Sequence, residues 1–154
     1  MNWVLWTMIG LFSWGKNPIS SGKTPVSWVT TCQKINNEEY KIIFTANIED
    51  GWNIYSQYLA NDDGPVRTSF TFTPASQYEL VGKNEETGDI KKAMDEMFGM
   101  EVIKIKHKGV FTQKIKTSDT AKPITGVIEF MCCNELQCLP PKEIPFTIDL
   151  RSAN

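Results

Sequence analysis

A single histidine, no surplus of positive charge and no apolar run of bilayer-spanning length set the first limits on this sequence. Its 154 residues carry 16 Lys and Arg against 18 Asp and Glu, a net charge of −2. Lys and Glu are interspersed, so the cationic face that a phosphate backbone requires is missing and nucleic acid is excluded as a partner. His107, the lone histidine, stands between Lys106 and Lys108, the setting of a solvated strand residue. The four cysteines form no Cys-x-x-Cys knuckle and have no second ligand pair at suitable spacing, which argues against zinc. Repeats and low-complexity tracts are also absent, and the length suits one domain with its own core.

From Asn2 to Trp14 the chain is almost wholly apolar, then turns polar at Gly15-Lys16-Asn17-Pro18. The run is too short to span a membrane and reads as a signal-peptide core, although no Lys or Arg precedes it and no Ala-x-Ala follows. A misplaced start or an apolar first strand are the rival readings. The expectation is a signal peptide and leader over residues 1–22, export, and a domain over 23–154. Cys32 after Val29-Thr30-Thr31 is not a lipidation box, because Lys16 to Lys23 separates it from the apolar run.

Beyond residue 25 short stretches alternate apolar and polar residues, are rich in β-branched and aromatic side chains, and break at turn chemistry about every ten residues. Val26–Ile35 and Tyr40–Ile48 form an expected hairpin across Asn36-Asn37. Asp50-Gly51 is a further turn, Trp52–Tyr58 a strand, Asn61–Pro65 a break, and Val66–Thr73 and Gln77–Val81 strands. Gly82–Asp89 is polar and expected as a loop, and Lys91–Met100 is the one segment that suits a helical turn. Val102–His107 and Val110–Lys116 suggest a hairpin across Lys108-Gly109. Ile124–Met131 and Ile144–Leu150 close the series. About eight or nine antiparallel strands without helical periodicity predict an all-β, immunoglobulin-like β-sandwich.

Three of the four thiols fall in Met131-Cys132-Cys133-Asn134-Glu135-Leu136-Gln137-Cys138-Leu139-Pro140-Pro141, between the last two expected strands. A structural staple here is weak, since closing a ring of about six residues contributes roughly 2 kcal/mol against more than 4 for a long bridge. A long bridge would be Cys32–Cys132, but the spacing to Trp52 does not match antibody domains. A redox-active Cys133/Cys138 pair suits the flanking Pro140-Pro141, which fixes φ and stiffens the loop exit. Spacing alone balances staple and redox pair evenly, because four cysteines allow three connectivities.

The segment Cys133-Asn-Glu-Leu-Gln-Cys138-Leu-Pro-Pro resembles the active-site segment of the disulfide-bond-corrector family, the N-terminal domains of DsbD. Asp50-Gly-Trp-Asn-Ile-Tyr55-Ser-Gln57 is similar to a strand of that family, and Asp95-Glu-Met-Phe-Gly99 to its cap loop. With the strand around Trp28, the likeness runs over roughly residues 26–150. The resemblance implies a periplasmic domain that relays electrons, its cysteine pair reduced by one thioredoxin-like domain and reducing other thioredoxin-fold proteins. It further implies that Cys138 is the sulfur attacked and Cys133 its partner. Met97 would be the shielding cap residue with Phe98 beside it, and Tyr55, Asp95 and Glu96 would lie near the pair, the carboxylates ordering the cap or raising thiol pKa values. Without it, Met94, Met97 and Phe98 read as core residues, Tyr55 as a strand residue with a surface hydroxyl, and Asp95 and Glu96 as a solvated turn. Trp28 and Trp52 are expected to fill the core.

Cys132 departs from the family pattern and leaves a Cys132–Cys138 pairing open, although strand alternation lets only one of two neighbours face the loop. Cys32 is expected as a buried free thiol. No metal, organic cofactor or small-molecule substrate is implied, and a monomer is expected. The competing function is a non-redox binding or assembly module with a structural disulfide.

Overall fold

A computed structural model describes residues 24–153; the leader expected over residues 1–22 lies outside the described residues. These residues form nine strands: β1 (Val26–Lys34), β2 (Glu39–Ile48), β3 (Asn53–Tyr55), β4 (Ser69–Phe72), β5 (Glu79–Asp95), β6 (Met100–Lys116), β7 (Ile124–Phe130), β8 (Cys132–Cys133) and β9 (Lys142–Ile148). A short 3-10 turn, Leu150–Ser152, follows, its first turn capped by the Asp149 carboxylate accepting from Arg151 N. Among the described residues no helix is long and apolar enough to cross a membrane.

The larger sheet is ordered β1-β2-β6-β3-β8, with β5 also paired to β6. Strand β5 occupies one edge of β6 along its length, while β2 and then β3 share the other. The smaller sheet is β4-β7-β9. Every pairing is antiparallel. Alternation in β2 sends Tyr40, Ile42, Phe44, Ala46 and Ile48 inward, and β7 does the same with Ile124, Ile128 and Phe130. These faces meet in one core that takes Phe111 and Ile115 from β6 and Phe146 and Ile148 from β9. Phe44 packs on Phe70 and Phe146 with centroids 4.5 and 4.9 Å apart. Trp28 and Trp52 pack half-buried against this core, as expected of them. The all-β sandwich expected from the sequence is the observed architecture.

Four expectations change. Gly82–Asp89 is not a loop but part of β5, and of Lys91–Met100 the first half, to Asp95, is also strand, leaving a single turn over residues 96–99 closed by Gly99 N on the Asp95 carbonyl. Their polarity reflects an edge strand whose only buried residue is Asp95, held by its backbone ladder to β6. Lys108-Gly109 does not turn, because β6 runs on through it. The turn chemistry there makes a bulge: Gly88 pairs with Gly109 and Asp89 with Lys106, so His107 and Lys108 are extra residues on β6. His107 takes φ 54° and its Nδ1 lies 2.6 Å from Asp89 Oδ2. Gly88, at φ 130°, leaves no room for a side chain, since a Cβ there would fall 2.2 Å from the Lys108 carbonyl oxygen. The strand expected over Trp52–Tyr58 is confined to Asn53–Tyr55.

Candidate functional site

A second, smaller core closes one end of the sandwich. Tyr55, Leu59, Val102, Met131 and Cys133 are buried there, with Phe98, Met100 and Cys138 packed against them. Of the buried residues Tyr55 comes from β3, Val102 from the N-terminal half of β6 and Cys133 from β8, which pairs with β3 through Asn53–Cys133 and Ile54–Cys132.

Cys133 and Cys138 are joined in a disulfide across a tight loop. The two face each other as an antiparallel bridge, flanked by a hydrogen bond from Leu139 N to the Cys132 carbonyl (2.9 Å). Inside the loop Asn134 N donates to the Gln137 carbonyl, and Asn134 Oδ1 accepts from Leu136 N and Gln137 N at 2.9 and 2.8 Å. This Asx turn satisfies the loop's own amides and needs no support from the sheet. It projects Leu136 outward, 90% exposed, while Cys133 is 2% exposed and Cys138 half-buried. A shallow groove lined by Asn53, Lys104, Lys106 and Leu136 runs alongside.

Neighbouring cysteines part company at β8. Cys132 belongs to the large inter-sheet core and Cys133 to the smaller one, as alternation requires. Cys132 and Cys32 are free thiols, both with pKa values pushed up by burial. Cys32, expected to be buried, is half-buried, because β1 is an edge strand of its sheet.

The turn between β5 and β6 lies over the disulfide. Met97 Sδ is 3.3 Å from Cys138 Sγ, a sulfur–sulfur packing contact, since a disulfide sulfur has no proton to donate. Met97 is 47% exposed. The turn is built on Asp95, itself 6% exposed: Oδ1 accepts from Met97 N (2.9 Å) and Phe98 N (3.4 Å), and the Asp95 carbonyl accepts from Gly99 N (2.8 Å). Gly99 takes φ 64°, which lets the chain reverse into β6. Asp95 Oδ2 receives Lys104 Nζ at 2.8 Å and the Tyr55 hydroxyl at 3.4 Å. Burial pushes the Asp95 carboxyl up, but the hydrogen bond and charge of Lys104, joined by the two amides, outweigh it and hold the carboxyl below its ordinary range. Burial, opposed by the Asn53 side chain and reinforced by Asp95, pushes the Tyr55 hydroxyl up to about 12. The ring of Tyr55 meets Phe98 edge-on at 6.0 Å.

The residues singled out from sequence thus fall into one neighbourhood with unequal positions. Tyr55 is wholly buried and Asp95 nearly so, Phe98 is half-buried, and Glu96 and Met97 face solvent. Neither a surface Tyr55 nor a buried Met94 and Met97 describes this end of the fold. Lys104, Asn134 and Leu136 were not anticipated. Lys104 pairs across the ladder with Lys91 and carries no motif, and only its register opposite Tyr55 brings it to Asp95.

No protein-family model matches the chain, and neither does any curated protein sequence. Among solved structures, the N-terminal periplasmic domain of ScsB from Proteus mirabilis superposes with a TM-score of 0.62 at 16% identity, over 85% of this chain and 49% of that one. The chain therefore spans about half the length of that relative. The DsbD N-terminal domain of Neisseria meningitidis, determined in its reduced form, superposes with a TM-score of 0.51 at 19% identity, over 78% of this chain and 83% of its own. The fold of this chain is that of the immunoglobulin-like DsbD N-terminal domains.

Proposed function

We propose that this domain carries out thiol–disulfide exchange through Cys133–Cys138, with thioredoxin-fold proteins as electron donor and acceptor, in the periplasm or an equivalent extracytoplasmic compartment. The observation that carries the reading is the inequality of the two sulfurs: Cys138 is half-exposed beneath a methionine, and Cys133 is buried behind it. A partner thiolate attacks Cys138 Sγ, the Cys133–Cys138 bond breaks, and Cys133 leaves as a thiolate that takes up a proton. The partner's second thiolate then displaces Cys138, leaving this domain a dithiol and the partner a disulfide. Run in reverse against another partner, the same two steps pass the two electrons on. The short loop supports this use, since its ring of about six residues contributes only roughly 2 kcal/mol as a staple. Support for the compartment comes from the fold relative described as periplasmic. The domain, over residues 23–154, works as a monomer and needs no metal or organic cofactor.

Trapping tests the assignment. A Cys133→Ala chain, with Cys138 free, should form a mixed disulfide with a thioredoxin-fold protein carrying an activated disulfide, and a Cys138→Ala chain should not. Trapping through Cys133 alone would reverse the roles. A potential within roughly −120 to −270 mV supports relay, whereas one below about −300 mV makes the bridge structural and the domain a binding module.

A further inference from the structure

Shielding a disulfide from stray thiols takes only an apolar side chain, yet the side chain in contact with Cys138 carries a sulfur of its own. Met97 Sδ lies 3.3 Å from Cys138 Sγ, and the residue is 47% exposed. An exposed thioether is a target for peroxide, which transfers one oxygen to the sulfur and leaves as water. The resulting sulfoxide is polar and would sit directly on the exchanging sulfur.

We infer that Met97 is a reversible oxidation site repaired by the domain's own dithiol, so that the reduced Cys133/Cys138 pair acts as an intramolecular methionine sulfoxide reductase. This rests on the redox cycling of the pair proposed above. The Cys138 thiol takes the sulfoxide oxygen, becoming a sulfenic acid while Met97 returns to a thioether. Cys133 then attacks the Cys138 sulfur, the oxygen departs as water with the two thiol protons, and the Cys133–Cys138 disulfide closes. Two electrons pass from the dithiol to the sulfoxide, and a donor dithiol restores the pair.

Geometry makes this reaction local. The two sulfurs stand within the 3–3.5 Å range in which reacting atoms count as pre-positioned, so the encounter a free thiol must wait for is already made. The cap cannot drift far, because Met97 N is tied to Asp95 Oδ1 at 2.9 Å. Met94 supplies a control in the same chain. It is 67% exposed and directly precedes the inward-facing Asp95 on β5, so alternation points it to the opposite face.

The experiment uses the full chain in its disulfide form, treated with hydrogen peroxide until Met94 and Met97 are both sulfoxides by peptide mass mapping. The protein is then reduced with dithiothreitol, desalted and incubated without oxygen. The expected result is loss of the Met97 sulfoxide at least about tenfold faster than that of Met94, with one Cys133–Cys138 disulfide regained per sulfoxide lost. A parallel sample with its thiols alkylated after reduction should retain both sulfoxides, which makes the test independent of any substitution. Equal persistence of both sulfoxides beside free thiols overturns the inference, as does failure of peroxide to oxidise Met97. Partner trapping is scored separately, so repair without trapping defeats the relay reading alone, and trapping without repair defeats this one alone.

Discussion

Replacing Asp95 by Ala removes the centre of the cap. Its carboxylate accepts from Lys104, Tyr55, Met97 and Phe98 at once while 6% exposed, so the substitution strands a cation and two amides together. Removing one member of a buried ion pair costs about 3–5 kcal/mol. The Lys104 side chain is 23% exposed and can recover some hydration, which puts the expected loss near the low end, about 3 kcal/mol. For a domain of this size that is a fall of roughly 10 °C in Tm. Asp95→Asn keeps an oxygen for the Met97 and Phe98 amides and should lose about half as much, since only the charge is removed. The pH dependence separates the two terms. A carboxyl held low in the folded state stabilises fully above its unfolded pKa of about 3.9, and that stabilisation drains away as pH falls through the folded value. The parent's advantage over Asp95→Asn should therefore be constant from pH 7 to about 5 and shrink on further acidification. Thermal unfolding followed by circular dichroism across that range measures it. A Tm for Asp95→Ala within about 2 °C of the parent at pH 7 would refute the claim that the carboxylate holds the cap.

Two further outcomes can be checked directly. In native protein iodoacetamide should label Cys32 and spare Cys132, which should react only on unfolding; because burial raises the Cys32 pKa, its labelling rate should still be climbing above pH 9, and early labelling of Cys132 by mass mapping would contradict its place in the core. Gly88→Ala forces a side chain into φ 130° and against the Lys108 carbonyl, and should cost about 2 kcal/mol or more in urea unfolding, whereas an unchanged midpoint would mean that the bulge relaxes freely.

Legibility in the sequence followed burial. Strands with one wet and one dry face, such as β2 and β7, declare themselves by alternation, and the core they build was readable from that pattern. Strand β5 has almost no dry face, so beyond Val81 it looked like a loop followed by a helical turn. What makes it a strand is the unpaired edge of β6, a property of the partner that no local window contains. Lys108-Gly109 misled for a related reason, since the residues that make a tight turn also make a bulge, and only the long partner strand decides between them. At the site the cysteine spacing and the cap segment were legible as a resemblance. The Lys104–Asp95 pair was not, because it depends on strand register rather than on proximity in the chain.

The one-residue step between Cys132 and Cys133 also bears on how the chain matures. Because side chains change face at every residue of a strand, a slip of β8 by one position would present Cys132 to Cys138 and drive Cys133 between the sheets. Which neighbour carries the bridge therefore reports the register of β8: Cys133–Cys138 is the bond that goes with the observed alignment against β3. A Cys132–Cys138 bond, by contrast, would mark a chain whose β8 had taken the opposite face.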